Sequence, residues 1–504
     1  MASAETASLG RLLWVLLLAT LGFRMWFAHA LPFTGDEAYF YYWGAVPDWG
    51  FYDHPPMVGW WLAALQAVSH DTLWLRLPSV ILPAVMALSV WRFLQPYGQD
   101  VSRTAAVLVL LAPANVWNVA ITTDTPLVFF SFFSALCFLR AVRDDAPLWY
   151  LACGAFLGGA FLSKYFSVLL GVAFAVALFW RGSAAKRLGL CLIVLAAAPA
   201  VVLNVWWNMG HCWANIMFNV FNRHGDAGWS WKTPLLYAAT VLYLLTPPVV
   251  WAVARGGLSE RLGGQGFFIA AIAGVPLAIF AVLSVVKTIG MHWLLSFVPF
   301  ALMAVVLCSD QPRRAWLQRF FLGFAALHVI LIGVIASLPV ETWRKTRLYD
   351  GIILTVKSDE LLAKLSPYSA DHVFMTDGYS PSVTLSFNAQ RYFPVFGDAS
   401  SHARHDDILT DFRPLDGRNL LVLTKSAPDL ARYTPYFATT EVKPIEVRGA
   451  QFWLVLGQGF QYRVYRDAVL ERARERWYAV PRWLPQTGCY FCERYFPERA
   501  CTAP

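Results

Sequence analysis

The sequence predicts a polytopic α-helical membrane protein that ends in a small α/β domain, and three observations predict it. Of 504 residues, 58% are hydrophobic and only 14% charged. The mean hydropathy of +0.48 is too high for a soluble chain of this length. The 23 Trp and 20 Tyr suit the same class, because amphipathic rings collect where bilayer meets water. Apolar runs near the roughly 20 residues that cross a bilayer recur from residue 9 to residue 338 and then stop.

About eleven such spans are predicted, near 9–31, 73–94, 103–119, 122–142, 148–163, 165–181, 187–208, 233–254, 265–286, 291–308 and 315–338. The first carries Arg11 and ends without a small-residue cleavage site, so it reads as a retained span or signal anchor. The run 57–69 is shorter and follows Pro55-Pro56, which places it as an interfacial helix in the first external loop.

Charge sets the expected orientation. With the N-terminus inside, cytoplasmic connections hold Arg92, Arg103, Arg140, Arg143, Arg181, Lys186, Arg187, Arg255, Arg261, Arg313, Arg314 and Arg319. The opposite connections between later spans hold only Lys164, Arg223, Lys232 and Lys287, which is the asymmetry of the positive-inside rule. The net charge of +8 therefore reports topology and not a nucleic-acid partner, since no basic cluster interleaved with aromatics occurs in a soluble segment.

Domain organisation follows: residues 1–340 form the membrane domain and 341–504 an external α/β domain. Short apolar runs at His372–Thr376, Asn419–Thr424 and Gln451–Leu456 are its expected strands. Cys137, Cys153, Cys191 and Cys308 fall in apolar segments and read as small core residues. Cys489, Cys492 and Cys501 read as one disulfide with a spare thiol on an oxidising side; by cysteines alone they are one ligand short of a zinc site.

On this topology a set of ionisable residues gathers on one face. Asp36 and Glu37 close the first span within Thr34-Gly-Asp-Glu-Ala-Tyr-Phe-Tyr-Tyr-Trp43, and Tyr52-Asp53-His54-Pro-Pro56 follows. The same face collects Asp124 in Thr122–Pro126, Lys164 with Tyr165, Arg223 with His224, and Lys287 with His292. Ionisable groups near a membrane are costly, so their convergence marks a functional site.

Each residue also has a structural reading. Asp36-Glu37 could cap a helix beginning near Ala38, and Asp53-His54-Pro-Pro could be only a turn. Asp124 could be an N-cap, and Lys164 could snorkel to the interface or hold a phosphate. Arg223 suits a phosphate or carboxylate clamp, and the His spacing of its loop matches no compact metal motif.

The acidic pair closing the first span, the aromatic run behind it and the Asp-His-Pro-Pro element together resemble the first external loop of the GT-C glycosyltransferases. The likeness is to the branch holding lipid A aminoarabinose transferases and protein O-mannosyltransferases, a family-39-like group. It covers roughly residues 9–340. It implies an inverting transferase that takes a sugar from a polyprenyl-phosphate carrier, with a glycolipid such as lipid A, another glycan or a protein as acceptor. The resemblance places Asp36 as the base, Glu37 as its support, and Asp124 on acceptor or donor sugar. His54 stands where the aminoarabinose transferases carry lysine, Lys164 matches the family's Thr/Ser-Lys element, and Lys287 and His292 resemble basic positions near the lipid phosphate.

The expected setting is a bacterial inner membrane with the site facing the periplasm, in a monomer. No cofactor is expected, and the donor phosphate is assigned to scattered cations and not to a divalent metal. A transporter or flippase of a lipid-linked saccharide is the alternative, but such proteins tend to carry midplane charges and internal repeats. Here the charges lie at one rim and no repeat occurs.

Overall fold

The computed structural model describes residues 2–222, 228–254, 264–397, 405–499 and 501, with side chains from residue 11 onward. The chain divides into two compact units. The first comprises Met1–Leu31, Leu65–Val202 and Asp226–Ser337; the second comprises Pro32–Ala64, Leu203–Gly225 and Leu338–Pro504.

The first unit is helical. Among the described residues, six helices are long and apolar enough to cross a membrane: Arg11–Ala30, Thr72–Tyr97, Asp124–Asp144, Ala184–Gly210, Gly264–Leu283 and Gln311–Ser337. Lys232–Leu245 and Pro247–Ala254 form a further pair bent by 103°. The bend falls at Thr246, whose φ of 71° is unusual for a β-branched residue, followed by two prolines that cannot continue the hydrogen-bond ladder. Pro147–Phe161, Tyr165–Arg181 and Val298–Cys308 are shorter apolar helices. The predicted run 103–119 is interrupted: Gln99–Leu110 ends, and Pro113 opens a separate Pro113–Trp117 turn.

A buried arginine, not singled out in the sequence, secures this bundle. Pro83 lies inside the Thr72–Leu94 helix and donates no hydrogen bond to Ser79, which leaves a carbonyl exposed in an apolar interior. Arg24 Nη2 supplies that bond at 2.6 Å, and its other donors reach the carbonyls of Val80 (3.0 Å), Asn118 (2.8 Å) and Asn115. One side chain thereby satisfies backbone from two neighbouring segments.

The second unit is built on a four-stranded sheet of order β1-β2-β4-β3, with β1 His372–Thr376, β2 Asn419–Thr424, β3 Phe437–Val447 and β4 Ala450–Phe460. β1 and β2 are parallel, as expected for strands joined through the Tyr379–Ala389 helix; the other pairs are antiparallel. β2 is buried on both faces, and its side chains alternate between two cores. Leu420 and Val422 enter one core with Phe396, Tyr465 and Trp477; Leu421 and Leu423 enter the other with Ile353, Leu361 and Leu385. β3, carrying Pro444, lies at the edge, where proline's missing donor costs no ladder bond.

The segments 32–64 and 203–222 belong to this unit. Asn215 Nδ2 donates to the Phe51 carbonyl (3.0 Å) and Asn219 Nδ2 to that of Asp53 (2.9 Å). Trp213 Nε1 donates to Pro485 (2.7 Å). Two disulfides, Cys212–Cys489 and Cys492–Cys501, complete the unit. This corrects the expectation of one bridge and a spare thiol: the partner of Cys489 is Cys212, 277 residues away. The other four cysteines are free, and all lie in the first unit.

Candidate active site

In the second unit the site is set by a helix start. The helix Gly35–Ala45 begins three residues earlier than the sequence suggested, with Thr34 as its N-cap. Thr34 Oγ1 accepts from the Glu37 amide (3.3 Å), and the Glu37 carboxylate accepts from the Thr34 amide (3.0 Å). This reciprocal capping box fixes the first turn. Glu37, 0% exposed, is thus the structural member of the acidic pair, while Asp36 beside it is exposed. Adjacent helical residues diverge by about 100°, so two neighbouring carboxylates occupy different environments.

Two tyrosines hold the aspartates. Tyr379, at the start of the Tyr379–Ala389 helix, donates a hydrogen bond to Asp36. Burial first, and then the charges of Asp36 and Asp53, push its hydroxyl up to about 12, so it stays a donor across the physiological range. Tyr39 donates to Asp53 Oδ1 at 3.0 Å. Its hydroxyl is likewise raised well above the ordinary value, by burial and then by the Asp53 charge. The two rings meet edge-on at 5.5 Å. His54 Nε2 lies 4.0 Å from Asp53 Oδ2, and its ring stands against Phe40 and Trp43.

Aromatic packing keeps this loop rigid. Trp43 and Phe51 stack at 4.3 Å, and Gly50 has no room for a side chain because a Cβ there would lie 2.4 Å from the Trp207 ring. Tyr52, a predicted substrate contact, is instead 0% exposed and packed between Phe218 and Tyr478; it supports the loop from inside. His405 closes the cluster against Tyr39, Trp43 and Phe51. Neither of its ring nitrogens has a hydrogen-bond partner among the described residues, and burial lowers its basicity to about 3. Tyr379 and His405 were not found from the sequence. Each lies more than 300 residues from Asp36 and has no flanking motif.

In the first unit, Asp124 opens the helix Asp124–Asp144, and Lys164 lies in the link between Pro147–Phe161 and the next helix. Their side chains form a buried ion pair, Nζ to Oδ1 2.8 Å. The lone lysine of the sequence is therefore already partnered. Asp124 also borders a cavity of about 40 Å³ shared with Arg24, Ser79, Asn115, Asn118 and Thr125, enough for ordered water. Tyr165 packs on Phe161 at 5.3 Å. Lys287 is half-buried in the turn after Gly264–Leu283, and His292 is exposed in the short Met291–Leu294 helix. Arg223 and His224 lie outside the described residues.

The fold is of the GT-C type, in a multi-pass membrane protein. The structure aligns with the crystal structure of ArnT from Cupriavidus metallidurans bound to undecaprenyl phosphate, at a TM-score of 0.60 and 15% identity, over 90% of this chain and 98% of that one. Residues 53–207 match the family described as dolichyl-phosphate-mannose-protein mannosyltransferase. Over 205 residues the chain is 29% identical to the lipid A galacturonosyltransferase RgtD of Rhizobium johnstonii, which is 39% of this chain and 43% of that protein. The match thus spans less than half of that relative's length.

Proposed function

We propose that this protein is an inverting glycosyltransferase that moves a sugar from a polyprenyl-phosphate carrier to a lipid A-type glycolipid at the periplasmic face of the bacterial inner membrane. The observation that carries the proposal is the division of labour at the start of the Gly35–Ala45 helix: Glu37 is consumed by the capping box, and Asp36 is exposed and oriented by Tyr379. In the reaction Asp36 takes the proton of an acceptor hydroxyl, whose oxygen bonds to the anomeric carbon as the bond from that carbon to the carrier phosphate breaks. Configuration inverts, and the polyprenyl phosphate leaves with the bonding pair. A cation or donor must meet the charge developing on phosphate, and His54, beside Asp53, is suited to this.

The name of RgtD supports lipid A as acceptor, and the undecaprenyl phosphate bound to ArnT supports a lipid-linked donor. Sidedness is supported by redox chemistry: both disulfides fall in the second unit, as an oxidising compartment requires. The proposed reaction has no divalent-metal step, because a monophosphate leaving group carries less charge than the diphosphates that recruit Mg²⁺.

Asp36→Asn in proteoliposomes supplied with polyprenyl-phosphate sugar and lipid A tests the assignment by mass spectrometry of the product. The expected result is a loss of about a hundredfold or more in transfer, the scale of general-base removal, with donor binding retained and no effect of EDTA on the wild type. Wild-type turnover by the variant would remove Asp36 from the mechanism.

A further inference from the structure

A second amphiphilic site lies at the other end of the helix that Asp124 opens. Arg140 and Arg143 occupy its last two turns, roughly 24–29 Å from Asp124 along the axis, close to the thickness of a bilayer's hydrocarbon core. Together with Arg92, from the last turn of Thr72–Leu94, they line an open groove of about 590 Å³. Apart from Ser89, its remaining wall is largely apolar, with Leu88, Phe93, Phe133, Leu136 and Trp149.

Among the described residues, the charges of this groove are not balanced internally. Asp144 accepts from Arg140 Nε at 3.2 Å and from Arg143 Nε at 2.8 Å, and the neighbouring Asp145 pairs with Lys186 at 3.4 Å. Among the described residues, three guanidinium groups thus face one carboxylate. Two of them lie over aromatic rings, Arg140 5.1 Å from Trp149 and Arg143 5.7 Å from Phe93, which restricts the guanidinium planes. An adjacent groove of about 510 Å³ repeats the combination with Arg11, Arg103, Trp14 and Trp91. A basic rim over an apolar wall at helix ends matches an acidic headgroup attached to acyl chains, since arginine binds phosphate through paired donors while the chains lie along the apolar surface.

We propose that the groove of Arg92, Arg140 and Arg143 is a binding site for an anionic diacyl phospholipid, in the leaflet opposite the Asp124 end of the helix. The full-length protein, reconstituted in nanodiscs of phosphatidylcholine and phosphatidylglycerol and then delipidated stepwise, reports retained lipid by native mass spectrometry. Wild type is expected to retain at least one phosphatidylglycerol with about fivefold or greater preference over phosphatidylcholine. The R92Q/R140Q variant is expected to lose that preference while eluting as wild type on size exclusion; if the double variant does not fold, R92Q alone is read in the same way. Equal retention of both lipids by wild type, unchanged preference in the variants, or displacement of phosphatidylglycerol by equimolar polyprenyl phosphate would each overturn the assignment.

Discussion

Lys164 Nζ lies 2.8 Å from Asp124 Oδ1, with both side chains withdrawn from solvent, so each charge is the other's compensation. Removing one partner strands a buried charge, which costs about 3–5 kcal/mol, whereas removing both costs far less. Lys164→Ala should therefore lower the unfolding midpoint in detergent, and the Asp124→Asn/Lys164→Met double variant should recover most of the loss. A Lys164→Ala protein as stable as wild type would mean that the pair contributes nothing to the fold.

The hydroxyl of Tyr379 predicts a shift in a pH profile. Its hydrogen bond favours the ionised form of Asp36, so removing it raises the aspartate's pKa. A base must be deprotonated to act. Tyr379→Phe should accordingly move the acid limb of kcat/KM to higher pH, losing more activity near pH 5 than near pH 8. A uniform loss at all pH values would assign Tyr379 a packing role only.

His405 predicts an acid-sensitive fold. With its native pKa lowered to about 3 by burial, the unfolded chain protonates this ring below its ordinary value of 6.5 while the folded chain does not. Stability from this residue is thus unaffected above that value and falls as pH drops from it toward 3, by at most about 1.4 kcal/mol per pH unit. His405→Phe should flatten this part of the stability curve. An unchanged slope would place the acid sensitivity elsewhere.

Thiol counting tests the bridges directly. Denatured but unreduced protein should take up four equivalents of alkylating agent, at Cys137, Cys153, Cys191 and Cys308, and reduced protein eight. Cys489→Ser should add one to the unreduced count, exposing Cys212 without disturbing Cys492–Cys501.

What was legible in the sequence was local. Strands β1 and β2 were found residue for residue because burial on both faces makes an unbroken apolar run. β3 was missed, because an edge strand with Glu441, Lys443 and Pro444 carries the pattern of a loop. The Thr34…Glu37 spacing was visible, yet only the backbone geometry divides the two carboxylates between capping and exposure. Asp124 with Lys164, Tyr379 with Asp36, and Cys212 with Cys489 are pairings across 40, 343 and 277 positions, and no one-dimensional pattern encodes them.

The composition of the second unit from three distant stretches sets an order in time. Synthesis proceeds from the N-terminus at about 5–20 residues per second. Pro32–Ala64 therefore emerges tens of seconds before the segment that carries Tyr379, His405 and Cys489. Until then Asp36 has no Tyr379, Asp53 is without part of its aromatic enclosure, and Cys212 waits as a thiol. A ribosome that stalls after Ser337 and before Tyr379 yields a chain with all the described apolar helices and an unfinished first loop. Catalytic competence and the last disulfides then arrive together, so an incomplete copy lodged in the membrane is an inert one.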